Sequence, residues 1–517
     1  MNGFSFESAA GVARPASADS PSYGLARAAA WLAALTLARI VYLYVHPFDL
    51  HGDEAQYWVW AQDLAFGYYS KPPVVAWLIA ASTAVCGDGE ACVRMATPLA
   101  HMATALAIYG IGHRLYDARI GFWSALVYAT LPGVSVSAFV ISTDVPLLFF
   151  WALALYALVT AVQYNSWRRW LLLGFAVGCG LLSKYSMLFF VLSAAIYAAL
   201  EWRALKATMP GLVPRALVAA LVAALIYLPN LLWNMANGFV SYGHTGDNIN
   251  LSGPLFRIDK MAEFVGSQFG VFGPILFALL IIVLWRKRDW LADRRIRLLV
   301  CFTLPILVII IAQSFLSRAH PNWAAPAYVA ASVLVTAWVL QSLPSVTSLW
   351  RGRALLITGS VVFHAGLAVI AFAYLAASYG RPDALPMKSD PFQRVRGWHE
   401  LGASIELARR EFGALPLLVD DRMLLAEILY YGRPWSAGAL KWRPAGINDH
   451  FDLTRPLTES APSRMMLVTE QTDPSAITGR FARADILAEI RTPIGVERER
   501  VVRLYEVEGF LGYPARP

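Results

Sequence analysis

The sequence predicts a mainly α-helical, polytopic membrane protein that ends in a small α/β domain. Three observations support this fold class. First, 57% of the 517 residues are hydrophobic and 15% are charged, and the mean hydropathy is +0.50, which is too apolar for a soluble chain of this length. Second, apolar runs of roughly 18 to 23 residues recur between positions 25 and 377, and each is long enough to cross a bilayer. Third, residues 378–517 are polar, charged and rich in turn residues, as expected for a water-exposed domain.

The hydropathy pattern predicts about eleven membrane spans. Their approximate ranges are 25–46, 93–113, 120–138, 145–163, 169–182, 185–201, 216–233, 265–285, 298–316, 322–340 and 354–377, of which 169–182 is short. The apolar stretch 72–86 is too short to cross and is interpreted as a re-entrant or interfacial helix. Residues 1–22 lack the order of a signal peptide and are expected to form a disordered cytoplasmic tail. The predicted transmembrane domain is therefore 23–377 with an outer loop at 47–92, followed by a soluble domain at 378–517.

Basic residues predict which side of the membrane each loop faces, because Lys and Arg collect in cytoplasmic loops. With the N-terminus inside, the cytoplasmic loops contain Arg114, Arg119, Arg168, Arg169, Arg203, Lys206, Arg215, Arg286, Lys287, Arg288, Arg294, Arg295, Arg297, Arg351 and Arg353. The opposite loops contain chiefly Lys71, Lys184, Arg257, Lys260 and Arg318. We expect a bacterial inner-membrane protein, and the asymmetry predicts that its outer loop and C-terminal domain are periplasmic. It also accounts for the net charge of +8 without a nucleic-acid partner.

The first outer loop contains an acidic pair and a lysine. Asp53 and Glu54 begin a predicted helix that ends near Gly67, and they either cap that helix or supply acid–base chemistry. Lys71 precedes Pro72-Pro73, which favours a helix start, so its ammonium is expected beside free backbone N–H groups that attract phosphate. The alternative is a lysine that extends to lipid headgroups. The acidic pair and the lysine together indicate chemistry on a lipid phosphate.

Other polar residues recur in outer-facing segments that are far apart in the sequence. Asp144 follows Ser142-Thr143 at the start of an apolar run, a pattern typical of a helix N-cap and compatible with a functional role. Lys184 lies between two apolar segments, where a charge is costly, so it is expected to face a polar cavity or a partner. His244, Arg318 and His320 lie in outer loops, where His244 alone is weak support for a site.

Cysteines and histidines bear on redox state and metals. Cys86 and Cys92 are close in sequence on the predicted oxidising side, so a disulfide is expected, whereas Cys179 and Cys301 lie in spans and are expected only to pack. No metal-ligand spacing is present among the histidines and acidic residues of the outer loops. We expect no essential metal or other cofactor, and a divalent cation is the one alternative that these residues leave open.

The acidic pair Asp53-Glu54, followed by Tyr69-Ser70-Lys71-Pro72-Pro73, resembles the membrane glycosyltransferases of the GT-C superfamily. Within it, the pattern is similar to the lipid A aminoarabinose and galacturonic acid transferases and to bacterial relatives of the protein mannosyltransferases. Further matching positions are Thr143-Asp144-Val145-Pro146, Ser183-Lys184-Tyr185, 237–242 and His320-Pro321-Asn322-Trp323. The resemblance covers most of the membrane region. This chain has Ser70 before the lysine, where the aminoarabinose transferases usually have an acidic residue.

The resemblance implies a glycosyltransferase that takes one sugar from a polyprenyl-phosphate donor. The acceptor would be a hydroxyl or phosphate of lipid A or another envelope glycan. Asp53 would be the general base beside Glu54, Lys71 would offset the charge of the leaving phosphate, and Asp144 would orient the acceptor or the sugar. The remaining candidate substrate-binding residues are Tyr57, Tyr69, Lys184, His244, Arg318 and His320.

Proteins of other classes also fit a polytopic chain with charges near its spans. A transporter usually has its site near the midplane on broken helices, often with inverted repeats, whereas the polar residues here gather at one surface. A flippase or polymerase of lipid-linked glycans would also handle prenyl phosphates, and a non-catalytic scaffold would tolerate Asp53→Asn. In the C-terminal part, the runs 415–421, 464–470 and 500–509 predict strands, and 398–411 and 422–430 predict helices.

Overall fold

The computed structural model describes residues 21–248, 256–286, 292–341, 349–379, 393–444, 446–495 and 498–513. Nearly all of the expected N-terminal tail lies outside these residues. The chain divides into two compact units. The first, called the helical unit, comprises Met1–Tyr44, Lys71–Val75 and Arg94–Ala371. The second, called the mixed unit, comprises Val45–Ser70, Ala76–Val93 and Phe372–Pro517, so most of the first loop belongs to the same unit as the C-terminal residues.

The described helices follow the predicted apolar runs. In chain order they are α1 (Leu25–Val45), α2 (Gly52–Ala61), α3 (Val74–Cys86), α4 (Glu90–Arg94), α5 (Ala96–Leu115), α6 (Ala118–Thr130), α7 (Pro132–Ser137), α8 (Asp144–Tyr164), α9 (Trp167–Ser183), α10 (Leu188–Thr208), α11 (Leu212–Ala236), α12 (Val240–Asp247), α13 (Ile258–Val271), α14 (Pro274–Trp285), α15 (Arg294–Cys301), α16 (Leu304–Leu316), α17 (Ala327–Gln341) and α18 (Leu349–Tyr379). Short 3-10 turns at Tyr185–Met187 and Pro321–Ala324 follow α9 and α16.

Seven of the described helical segments are long and apolar enough to cross a membrane, and an eighth results if α13 and α14, bent by 115°, count as one span. The other three predicted spans correspond to α6, α9 and α17, which have 13, 17 and 15 residues. The mainly α-helical, polytopic fold class is therefore confirmed. Helix length by itself does not show that all eleven predicted segments cross.

The predicted span 120–138 is not one helix. The helix α6 ends at Thr130, Leu131 has non-helical backbone angles (φ −49°, ψ 137°), and Pro132 begins the short helix α7. Proline disfavours helical angles in the residue before it and is well tolerated at the first helical position. The prolyl ring therefore converts the end of one predicted span into a separate six-residue helix.

The core of the helical unit is built from α5, α6, α8, α9 and α17. Every residue of α17 from Ala327 to Leu340 is buried, so this helix is the central one. The helices α5 and α6 approach closely at a glycine, because a Cβ at Gly121 would lie 2.6 Å from the carbonyl oxygen of Tyr109. A separate buried ion pair joins Glu201 on α10 to Arg297 on α15.

The mixed unit contains a five-stranded sheet with the order β2-β1-β3-β5-β4. Its strands are β1 (Leu417–Val419), β2 (Leu440–Lys441), β3 (Arg464–Thr469), β4 (Phe481–Gly495) and β5 (Arg498–Phe510), and its further helices are α19 (Trp398–Glu411), α20 (Arg422–Tyr431), α21 (His450–Thr454) and α22 (Ser475–Thr478). The strand β1 pairs in parallel with β2 and β3, and β5 pairs antiparallel with β3 and β4. The three predicted strands and two predicted helices are confirmed, whereas β2 and β4 were not predicted.

The first loop differs from the sequence prediction in two helix boundaries. The helix α2 ends at Ala61 rather than near Gly67, because the Tyr68 ring stacks on Trp60 and its hydroxyl lies 3.0 Å from the Trp60 carbonyl oxygen. The helix α3 begins at Val74, three residues after Lys71, so Lys71 does not stand in the first helical turn. The predicted disulfide between Cys86 and Cys92 is present, with a Cα–Cα distance of 5.9 Å.

A buried aspartate connects the loop with the C-terminal segment inside the mixed unit. The Asp49 carboxylate accepts the Trp398 backbone N–H at 2.8 Å, and the Asp49 N–H donates to the Val395 carbonyl oxygen at 3.0 Å. Burial raises the pKa of Asp49 to about 6, although the hydrogen bond from Trp398 acts in the opposite direction. The loop is therefore held by backbone contacts as well as by its own helices.

Candidate active site

Two polar side chains from distant segments of the helical unit, Lys184 and Asn322, converge on Asp144. This residue begins α8, and its carboxylate receives the Lys184 ammonium at 2.7 Å on one oxygen and the Asn322 amide at 2.8 Å on the other. The side chains of Asp144 and Lys184 are only 10% and 21% exposed. Lys184 can reach Asp144 because α9 ends at Ser183 and Lys184 adopts extended angles. Both carboxylate oxygens are thus engaged by side chains rather than by the backbone of α8.

Buried polar groups stabilise the turn that contains Asn322. Gln268 on α13 is 1% exposed, and its amide donates to the Pro321 carbonyl oxygen at 3.3 Å. The Tyr328 hydroxyl donates to the Gln268 side-chain oxygen at 2.6 Å. These contacts fix the start of the 3-10 turn and so the direction of the Asn322 amide.

Three cations act on the imidazole of His320, which lies one residue before this turn. The pKa of His320 is lowered, first by partial desolvation and then by the positive charge of Arg318. Lys184 and Lys71 lower it further. The structure thus brings four of the predicted substrate-binding residues into one positively charged region, which suits an anionic ligand.

A cavity of about 510 Å³ adjoins Asp144 within the helical unit. Asp144, Asn322, Ser142 and Ser137 contribute polar groups to its lining. Most of the remaining lining is apolar and comes from α6, α7, the end of α13 and Tyr328. A cavity of this composition suits a ligand that has both a polar and an apolar part.

A cluster of tyrosines and asparagines lies beside Lys184. The Tyr185 hydroxyl donates to the Asn230 side-chain oxygen at 3.3 Å, and the Tyr227 and Tyr242 hydroxyls are 2.6 Å apart. The rings of Tyr185 and Tyr242 are 5.2 Å apart. Tyr242 belongs to α12, so the cluster connects the 237–242 segment to the Lys184 region. His244 on the same helix bonds to Asn248 at 3.2 Å.

The two acidic residues of the first loop, in the mixed unit, have different surroundings. Glu54 is 1% exposed and accepts the backbone N–H of His51 at 3.0 Å, which completes a capping box at the start of α2. Asp53 points away from the helix, is 45% exposed, and pairs with Arg422 at 3.2 Å. Of the two roles expected for the acidic pair, Glu54 therefore has the helix-capping role, while the carboxylate of Asp53 is accessible to a reactant.

Arg422 was not anticipated from the sequence. It is the first residue of α20, directly after the N-cap Asp421, and its guanidinium also donates to the Gln56 side-chain oxygen at 2.7 Å. It is 369 positions from Asp53, and no motif connects the two. Tyr57, in contrast, is a predicted site residue that is 6% exposed and packs against Trp60 at 5.1 Å, and Tyr69 is half-buried.

Metal ligation was left open by the sequence. Among the described residues, no group of three or more His, Cys, Asp or Glu side chains could hold a metal ion. The absence of an essential metal stays a prediction.

The fold is of the GT-C type. The structure matches the crystal structure of ArnT from Cupriavidus metallidurans in the apo state with a TM-score of 0.65 and 15% identity, over 94% of this chain and 100% of that one. The same protein bound to undecaprenyl phosphate gives a TM-score of 0.63. At this identity the match shows the shared fold.

Sequence comparison identifies the family. The sequence model described as dolichyl-phosphate-mannose-protein mannosyltransferase matches residues 70–233. The lipid A galacturonosyltransferase RgtD of Rhizobium johnstonii is 32% identical over 475 residues, which are 91% of this chain and 96% of that protein. An undecaprenyl phosphate-alpha-4-amino-4-deoxy-L-arabinose arabinosyl transferase of Pseudomonas aeruginosa is 25% identical over 86% of this chain and 82% of its own. The chain belongs to the family of lipid A glycosyltransferases that includes RgtD, and the expected enzyme class, a polyprenyl-phosphate-sugar-dependent glycosyltransferase, is confirmed.

Proposed function

We propose that this enzyme transfers a single uronic acid, galacturonic acid by analogy with RgtD, from a polyprenyl-phosphate donor to lipid A or a related envelope glycan. The reaction would take place on the periplasmic face of the bacterial inner membrane. The observation that carries the proposal is the positively charged region formed by Lys71, Lys184, Arg318 and His320 next to the Asp144 cavity.

The donor phosphate is the first anion that this region would bind. When the anomeric carbon–oxygen bond breaks, the bonding electron pair stays on the phosphate oxygen, and the polyprenyl phosphate gains negative charge. Cations already fixed in place stabilise that charge without reorganisation. Lys184 is fixed by Asp144, which is why we assign it to the phosphate together with Lys71.

The sugar carboxylate is the second anion. Lys184 is paired with Asp144, and Lys71 and Arg318 act on His320 in addition to it, which is one positive charge more than a phosphate monoanion requires. Ser70 adds no negative charge beside Lys71. A sugar that carries an ammonium group would be repelled by the same potential. Asp144 and Asn322 line the cavity, and they would hydrogen-bond the sugar hydroxyls through the carboxylate lone pairs and the second amide N–H that their mutual contact does not use.

Asp53 is the proposed general base for a hydroxyl acceptor. Its carboxylate would take the acceptor proton while the acceptor oxygen bonds to the anomeric carbon. Arg422 contacts one oxygen of that carboxylate and is itself oriented by its hydrogen bond to Gln56. An acceptor phosphate that is already ionised would need no such base, so the dependence on Asp53 reports which acceptor is used.

The decisive experiment compares two donors that differ at one carbon. Purified enzyme in nanodiscs would be given lipid A and either polyprenyl-phosphate galacturonate or polyprenyl-phosphate galactose, with the aminoarabinose donor as a third arm. We expect kcat/KM for the uronate to exceed that for galactose by at least about tenfold, the effect of one charge-assisted hydrogen bond. Equal rates for both sugars would refute the uronate assignment, and preference for the aminoarabinose donor would reverse it.

Two variants test the residues in the same assay. Lys184→Met should raise the donor KM, whereas Lys206→Met, an exposed lysine of the same unit, should not. Asp53→Asn should lower transfer to a hydroxyl by about 10²- to 10⁴-fold.

A labelling experiment tests which side of the membrane the mixed unit occupies. Membrane-impermeant maleimide would be applied to spheroplasts carrying Asp485→Cys, a half-exposed position of the mixed unit. Labelling only after lysis would place that unit in the cytoplasm and contradict the proposal.

A further inference from the structure

Arg39 is a charged residue inside a helix long and apolar enough to span a membrane. It lies in α1 and is 6% exposed. A buried arginine at such a position is costly and is typically retained for a specific role. The donor and acceptor chemistry proposed above does not use it.

The Arg39 guanidinium bridges the break between α6 and α7. It donates to the Ala129 carbonyl oxygen at 2.6 Å and lies 3.5 Å from the Ser135 hydroxyl. Ala129 belongs to the last turn of α6, where carbonyl groups lose their helical partners. The arginine therefore satisfies the backbone at the point where Pro132 interrupts the helix.

Two side chains of α5 hold the other end of α7. The Thr97 hydroxyl donates to the Ala138 carbonyl oxygen at 2.6 Å. The His101 ring nitrogens lie 3.0 Å from the Tyr128 hydroxyl and 3.0 Å from the Ser137 hydroxyl. Thr97 and His101 are four residues apart, so they occupy one face of α5, and both are buried.

The helix α7 is a wall of the Asp144 cavity. Five of its six residues line that cavity, as does Tyr128, the second partner of His101. A helix of six residues is too short to be stable by itself, so contacts from outside must set its position. The contacts from Arg39, Thr97 and His101 reach both of its ends.

We infer that Arg39, Thr97 and His101 are positioning residues that hold α7 as the wall of the donor cavity, and so set how well the donor fits. None of the three lines the cavity. They act through Ser135, Ser137 and the backbone of the α6–α7 break, so their loss changes the shape of the site without removing a group from it. This inference rests on the proposed function in so far as the cavity takes the donor.

The test uses variants that each remove the polar contacts of one side chain. Thr97→Val keeps the shape of the side chain and removes only the hydroxyl, and Arg39→Met removes the charge at similar length. We expect each to raise the donor KM by about fivefold to tenfold, with kcat within about twofold of the unchanged enzyme, because one hydrogen bond to the wall is lost. Arg39→Lys, which keeps a donor for the Ala129 carbonyl, should recover part of the loss.

The matched control is Glu201→Gln, which breaks a buried ion pair of the same unit with Arg297 and does not touch this cavity. It should lower the thermal stability and leave the donor KM unchanged. If Thr97→Val and Arg39→Met behave in the same way as Glu201→Gln, the three residues are merely structural and the inference is wrong.

A second readout does not depend on turnover. Val134 on α7 is 6% exposed. A Val134→Cys variant should react slowly with maleimide, and at least about tenfold faster when combined with Arg39→Met, because α7 is released. Unchanged reactivity refutes the positioning role. Accelerated reactivity in a protein that transfers no sugar from any donor would uphold the role of Arg39 and reject the proposed function.

Discussion

The Asp144–Lys184 pair gives the sharpest test of the site. At 2.7 Å, and with an effective dielectric constant of about 20, the gross Coulomb attraction is about 6 kcal/mol. Most of this offsets the loss of hydration of two largely buried charges. Lys184→Met leaves the Asp144 carboxylate with the amide of Asn322 and little water. We therefore expect a loss of about 2–4 kcal/mol in the free energy of unfolding, somewhat below the 3–5 kcal/mol typical of a fully buried pair.

A double-mutant cycle separates the pair from its surroundings. Asp144→Asn and Lys184→Met would be made alone and together, and unfolding would be measured in mixed micelles under reversible conditions. The double variant should be more stable than the sum of the two losses predicts, with a coupling energy of about 1.5–3 kcal/mol. Asn322→Leu in the same background measures the amide contact separately, since it removes one donor and no charge.

The same variants report on donor binding. If Lys184 binds the donor phosphate, Lys184→Met and the double variant should both weaken the donor by about tenfold or more, even though the double variant regains stability. A coupling energy below about 0.5 kcal/mol would refute the structural reasoning. Unchanged donor affinity in Lys184→Met would refute the phosphate assignment while leaving the ion pair intact.

The remaining predictions concern Arg422, His320, Asp49 and the disulfide between Cys86 and Cys92. Arg422→Met should lower kcat by about tenfold through loss of a charge-assisted contact to the proposed base, with Arg422→Lys intermediate in steady-state kinetics; full activity in Arg422→Met would remove that assignment. For His320, whose folded-state pKa is lowered, the unfolded chain binds the proton first as pH falls through about 6.5, so stability drops there and levels off below the folded pKa. A bound phosphate opposes the shift, so donor affinity should rise as pH falls, and His320→Gln should flatten that titration. For Asp49, whose pKa is raised to about 6, stability should decrease as pH rises from about 4 to 6. Asp49→Asn should therefore raise the free energy of unfolding by up to about 3 kcal/mol at pH 7 and by little at pH 4, and an equal gain at both values would contradict the assignment. Replacing Cys86 and Cys92 with serine should cost about 2 kcal/mol for a loop of this length, and reductant should have that effect on the parent only.

The sequence by itself determined the features that depend on local composition. Each predicted span contains helix because a run of apolar residues must satisfy its own backbone in lipid. The strands β1, β3 and β5 and the helices α19 and α20 were also recognisable, since their periodicity and propensity are local. Cys86 and Cys92 could be paired because only five residues separate them. The acidic pair and Lys71 were singled out from motif and resemblance, without knowledge of their contacts.

Only the tertiary structure decided which of these residues meet. The contact between Asn322 and Asp144 joins residues 178 positions apart, and that between Arg422 and Asp53 joins residues 369 apart, so no window of sequence contains either pair. The structure also separated two adjacent carboxylates that look alike in sequence: the helix start turns Glu54 inward as a cap and leaves Asp53 exposed. Hydropathy sums over neighbours along the chain, whereas a site is fixed by packing and hydrogen bonds between segments brought together in space. That is why the class of fold could be predicted and the partners of its charged residues could not.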